Sequence, residues 1–159
     1  MELPIPRTKV DVNPQAKEVL QEIIDGGRFI KGPHSNSLAK EFAEYSGAKH
    51  GVCTSSGSTG LFAALKVAGI GPGDEVITVS NTFIATVNAI ILAGARPVFA
   101  DIDSRTFNMD VDSLRSVITS KTKAIVPVHL YGLMAPMPEI MEIAEERSLI
   151  VIEDACQAH

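Results

Sequence analysis

The sequence predicts an α/β fold built on a parallel sheet, and three observations carry that expectation. From Gly51 onward, short β-branched or apolar runs alternate with segments of helical periodicity. Each run is bounded by Gly, Pro or charged residues, and the connections are short, as compact α/β domains prefer.

The opening third is helical. Asn13 is a suitable N-cap, and Pro14 takes the first helical position, where a missing N–H costs nothing. Val19, Leu20, Ile23 and Ile24 then form one apolar stripe before Gly26 and Gly27 stop the helix. After a loop over 29–33, a second helix shows Leu38, Phe42 and Tyr45 ahead of Gly47. Five strands are expected, at 51–54, 75–79, 97–100, 124–128 and 149–152. Helices between them are marked by Ile84, Val87 and Ile91, by Leu114, Val117 and Ile118, and by Ile140, Ile143 and Ala144. Gly71 to Asp74 make a tight turn into a strand, and Gly94 closes a helix before the next one. Residues 1–50 are expected to form a helical segment of the same domain as the α/β part at 51–159.

A chain of 159 residues with 45% hydrophobic residues suffices for one sizeable core. The formal net charge is -5 without a run of lysines or arginines, which argues against nucleic acid or an anionic membrane as partner. The opening MELPIPRTKV lacks the apolar region of a secretory signal, and no apolar stretch approaches the roughly 20 residues that span a bilayer, so a cytoplasmic location is expected. Cys53 and Cys156 show no metal-ligand or disulfide spacing and read as reduced thiols.

Three strand-to-helix junctions carry residues suited to chemistry. Ser55 to Leu61 is a small, hydroxyl-rich loop opening a helix, where free N–H groups and the positive end of the helix dipole suit a phosphate; an ordinary serine-rich N-cap has the same composition. Glu153 and Asp154 follow the run 149–152 at a strand's carboxyl end, where ligands of open α/β sheets gather. Such a pair suits a cationic ring nitrogen, a metal or a helix cap. Asn81 to Thr86 places Phe83 where it could lie over a planar ligand, although a phenylalanine there is more often core material. His129, with Tyr131 and Gly132, reads as a structural polar group at a strand end.

These junctions, together with GGRFIKGP, GPGDEVI, GARPVFADID, TKAIVPVHLYG and VIEDACQAH, resemble the DegT/StrS family of sugar-nucleotide aminotransferases across nearly the whole chain. The resemblance implies a three-layer αβα arrangement, part of the large domain of a fold-type I transferase dependent on pyridoxal 5'-phosphate (PLP). It also implies that 51–159 is the cofactor-binding large domain, cut short at its C-terminal end. By the same resemblance, Gly57 and Ser58 hold the cofactor phosphate, with Ser58 standing where the family has threonine. Phe83 stacks on the ring, Asp154 pairs with the pyridinium nitrogen and Gln157 reaches the phenolic oxygen. The five are expected to converge on one pocket.

The family's Schiff-base lysine lies beyond an EDAxQAHG segment, whereas the sequence stops at His159. Lys9, Lys17, Lys31, Lys40, Lys49, Lys66, Lys121 and Lys123 do not match it and read as solvated surface charges. The chain is therefore expected to be the N-terminal part of a homodimeric enzyme that moves an amino group from an amino acid, with glutamate the expected donor, to a nucleotide-linked keto-sugar. By itself it is expected to be inactive. Alternatives are a family member that dehydrates a deoxysugar with a histidine in place of the lysine, or a non-catalytic binding or assembly subunit. A Rossmann-like nucleotide module would also suit the alternation, but no GxGxxG follows the first strand. In this fold type the strand at 51–54 lacks its neighbours within the chain, and the other four are expected in the order fourth, fifth, second, third.

Overall fold

The computed structural model describes residues 12–159; Lys9 and the opening MELPIPRTKV segment lie outside the described residues. The chain divides into two compact units, the first ending at Cys53 and the second running Thr54–His159.

The first unit holds α1, Ala16–Gly26, and α2, Pro33–Tyr45. Asn13 caps locally, its Oδ1 accepting the Gln15 N–H at 3.0 Å, so that the helix begins slightly later than the expected Pro14 start. Pro33 opens α2 for the reason expected of Pro14, since it gives up an N–H that the first turn cannot use. The stripe on α1 is real as a pattern but buries none of its residues within the described chain.

The second unit is a four-stranded, all-parallel sheet with helices on both faces. Its elements are α3 (Gly57–Val67), β1 (Glu75–Val79), α4 (Ile84–Ala93), β2 (Arg96–Ala100), α5 (Val111–Val117), β3 (Thr122–Ile125), α6 (Met137–Arg147) and β4 (Ile150–Val151). Alternation along the central strands separates two cores. Ile77, Val79 and Ile125 pack with Leu114, Ile140 and Ile143 from α5 and α6. Val76, Ala124 and Val126 pack with Leu61, Leu65 and Ile90 from α3 and α4. Both faces of the sheet are thus covered, which completes the three-layer αβα arrangement. Gly94 ends α4 with φ 93, a left-handed conformation costly for any residue with a Cβ, and so lets the chain turn directly into β2.

Two expectations are corrected. Residues 51–54 form no strand. The sheet order is β2-β1-β3-β4, which in the numbering of the five expected strands is third, second, fourth, fifth; the fourth strand, not the fifth, lies beside the second. Burial explains the order. β1 is buried at every position and β3 at three of four, whereas β2 leaves Phe99 46% exposed and β4 leaves Ile150 40% exposed. Strands apolar on both faces take the centre, and a two-residue ladder belongs at an edge.

Candidate functional site

β1 passes through α4 to β2 on one side, while β3 passes through α6 to β4 on the other. The carboxyl ends of β1 and β3 therefore flank the point where the chain's direction of travel across the sheet reverses, the usual place for a ligand crevice.

Asp154 stands at this end of the sheet. Its N–H donates to the Pro127 carbonyl at 2.9 Å and its own carbonyl accepts the His129 N–H at 3.0 Å, fixing its backbone beside β3. The residue is only 6% exposed. Its Oδ2 accepts the Thr86 hydroxyl at 2.7 Å, and its Oδ1 accepts the Cys156 N–H at a longer 3.3 Å. Thr86 Oγ1 in turn lies 2.9 Å from Thr82 Oγ1. The neighbouring Asp154 carboxylate, through hydrogen bonding to the thiol and then, after burial, through its charge, helps push Cys156 from 9.0 up to about 11.

The hydroxyl-rich loop does serve as an N-cap. Ser56 Oγ accepts the Thr59 N–H at 3.2 Å, and the Thr59 hydroxyl lies 3.1 Å from both Ser55 Oγ and Ser56 Oγ. The cap satisfies one donor and leaves others: among the described residues, the N–H groups of Gly57 and Ser58 find no acceptor. A Cβ built on Gly57 would come within 2.7 Å of Cys156 Sγ, so the start of α3 lies directly against the turn that follows Asp154.

Gln157 is held on the other side of that turn. Its Oε1 accepts the Tyr131 N–H at 2.8 Å, which fixes the amide's orientation and leaves its NH₂ free to donate elsewhere. Tyr131 has φ 57, sparsely populated for a residue with a side chain, and the 3₁₀ turn Leu130–Gly132 holds it there. Buried Asn108 supports that turn, accepting the Leu130 N–H and donating to the carbonyls of Leu133 and Met134.

The structure thus brings Gly57, Asp154 and Gln157 together around residues 154–157, with Ser58 next in line on α3. Phe83 is tied to them only indirectly: it caps α4 as a residue 70% exposed, and its carbonyl accepts the N–H of Thr86, the residue that touches Asp154. Thr86 is the site residue that sequence reasoning passed over inside Asn81 to Thr86. The signal was a hydroxyl in the first turn of a helix that leaves a strand end.

His129 is a satisfied structural group. It is 5% exposed, its Nδ1 accepts the Ala135 N–H at 3.1 Å and its Nε2 lies 2.8 Å from Glu153 Oε2. Because Nδ1 accepts, the ring proton sits on Nε2 and is donated to Glu153. The consecutive carboxylates therefore diverge, Glu153 to His129 and Asp154 to Thr86. Among the described residues, no group of three or more His, Cys, Asp or Glu could hold a metal ion. No helix among them is long and apolar enough to cross a membrane. The seven described lysines are all exposed.

The chain is similar to known proteins. A "Pleiotropic regulatory protein" of Geobacillus stearothermophilus is 50% identical over 147 residues, covering 92% of this chain and 40% of that protein. A UDP-N-acetyl-3-dehydro-alpha-D-glucosamine 3-aminotransferase of Acidithiobacillus ferrooxidans is 49% identical over 137 residues, 86% of this chain and 37% of that one. The chain therefore spans about 40% of the length of the curated relatives it matches. The crystal structure of ntda from Bacillus subtilis with bound cofactor PMP superposes with a TM-score of 0.87 at 38% identity, covering 92% of this chain and 34% of that one. Residues 11–159 match the sequence model of the DegT/DnrJ/EryC1/StrS aminotransferase family, whose members depend on PLP, and the chain belongs to that family.

Proposed function

We propose that the protein carrying this chain is an aminotransferase that moves an amino group from an amino acid, with glutamate the expected donor, to a nucleotide-linked keto-sugar. In this reading it works as a homodimer in the cytoplasm. Family membership supports the reaction class, and the name of the Acidithiobacillus relative supports a sugar nucleotide as acceptor.

One observation carries the reading: a buried carboxylate lies next to a helix start with unused N–H groups, through the contact of Cys156 with Gly57. A small phosphate ester with a basic ring needs these two groups, a positive end for the phosphate and a negative one for the nitrogen. The residues present therefore fit PLP. The N–H groups of Gly57 and Ser58, with the Ser58 hydroxyl, hold its phosphate. Asp154 keeps the ring nitrogen protonated, Gln157 donates its NH₂ to the phenolic oxygen, and Phe83 covers a face of the ring. Bound there, PLP supplies an electron sink for the pair released when an amino acid loses its α-proton. Moving that proton needs a base, and among the described residues every lysine is exposed.

Thermal unfolding with PLP and, separately, with NAD tests the reading. PLP is expected to raise the transition temperature, and Asp154→Asn to diminish that rise. Stabilisation by the dinucleotide but not by PLP would assign the fold to a nucleotide-binding module instead.

A further inference from the structure

We infer that Thr86 is a positioning residue which sets the Asp154 carboxylate toward the ring nitrogen of the cofactor, with Thr82 completing a one-way chain of hydroxyls; this rests on the PLP reading above.

The direction of the chain follows from the inventory of protons. An ionised carboxylate only accepts, and a threonine hydroxyl has one proton to give. Thr86 Oγ1 is 2.7 Å from Asp154 Oδ2 and 2.9 Å from Thr82 Oγ1. Thr86 therefore gives its proton to Asp154, and Thr82 must donate to Thr86. The Thr86 residue is 1% exposed, so bulk water offers no substitute partner. Threonines in helices commonly turn their hydroxyls back to a carbonyl of the preceding turn, but this one bonds two side chains instead.

The consequence is geometric. The Asp154 backbone is fixed to the segment that follows β3, yet an aspartate carboxyl rotates in a broad, roughly two-fold well about its last torsion. The Cys156 N–H at 3.3 Å is a weak restraint on Oδ1. The short bond from Thr86 is the strong one, and it runs from α4, the helix that connects β1 to β2. A fixed, ionised carboxylate is what a cationic ring nitrogen requires, and fixing it before the ligand arrives removes an ordering cost from binding.

The test uses the intact protein freed of cofactor, with dissociation constants for three probes: PLP, the 1-deaza analogue of PLP that carries C–H in place of the ring nitrogen, and inorganic phosphate. Thr86→Val keeps the shape without the hydroxyl and is expected to weaken PLP about tenfold, the scale of one hydrogen bond to a charged group. Thr86→Ser should bind PLP as the parent does. Neither variant should change binding of the deaza analogue or of phosphate. A Thr86→Val protein that binds PLP normally, or that loses all three probes alike, overturns the inference, the second result making Thr86 a packing residue. Thr82→Val, at the half-buried end of the chain, should show a smaller loss with the same selectivity and decides the matter if Thr86→Val does not fold. Asp154→Asn separates the two levels: normal PLP affinity in that variant removes the cofactor role of Asp154 itself, whereas a loss there with Thr86→Val silent removes only the role of Thr86.

Discussion

Gly57 and Cys156 lie against each other: a Cβ at the first position of α3 would sit 2.7 Å from the cysteine sulfur unless that side chain turned away. Gly57→Ala should therefore force the Cys156 side chain to shift. Relieving such overpacking typically costs about 1–3 kcal/mol, more than the gain of up to about 1 kcal/mol that alanine brings over glycine in a helix. Cys156→Ala alone should be mild, and the double variant should recover most of the loss. Denaturant unfolding of the four proteins measures this coupling, and additive losses would show that the contact does not matter.

At the opposite end of the sheet, Glu75 is buried in β1, with Arg96 donating to one oxygen and Thr119 to the other, each at 2.6 Å. Arg96 first and Thr119 second hold its carboxyl below the usual 4.5, against the opposing effect of burial. A carboxyl lowered on folding contributes stability above its unfolded value and loses it as pH falls through the folded one. Glu75→Gln should thus be less stable than the parent at neutral pH, and the gap should close under acid. Since the Arg96 side chain is 68% exposed, added salt should narrow the gap as well. Unfolding midpoints measured from neutral to acid pH would expose a gap that stays constant, which would mean that the charge of Glu75 contributes nothing.

Local signals carried most of the fold. Ile84, Val87 and Ile91 reported α4 through their spacing, and Gly94 reported its end, because periodicity and left-handed backbone are properties of short stretches. Sheet order is not such a property. The runs at 75–79 and 149–152 look alike in a sequence, and only the burial of both faces of β1 and β3 shows which strands are central. The site divided in the same way: Asp154 stood out as a carboxylate at a strand end, whereas Thr86 lies 68 residues away and its importance exists only in the bond between them.

The same carboxylate should govern the chemistry of Cys156. A thiol titrating near 11 rather than 9.0 is ionised about a hundredfold less often at neutral pH, and the thiolate is the reactive form. In cofactor-free protein, Asp154→Asn should therefore speed alkylation of Cys156 by iodoacetamide, by about tenfold at most, because burial holds up part of the shift and a more basic thiolate is the stronger nucleophile. Peptide mapping distinguishes Cys156 from Cys53. Equal rates at Cys156 in the parent and the variant would place the cause of its sluggishness in access instead of charge.

A polypeptide confined to residues 1–159 should bind PLP and yet perform no transamination. In the proposed reading, binding draws on the start of α3 and on Asp154, both within Thr54–His159. Catalysis draws on a base that moves the α-proton, a role typically worth about 10²–10⁴-fold in rate, and on a lysine amine that forms an imine with the cofactor. Among the eight lysines of the sequence, the seven described ones are exposed, and the most constrained, Lys66, directs its Nζ to the carbonyls of Ile70 and Ala93. Exposed amines at pH 7 are mostly protonated and form imines with free PLP without preference. Incubation with PLP, glutamate and a panel of nucleotide-linked keto-sugars should give turnover no faster than PLP alone, and borohydride reduction followed by peptide mapping should label several lysines weakly. Stoichiometric labelling of one lysine, with turnover above the free cofactor, would show that this stretch of chain carries its own Schiff-base residue.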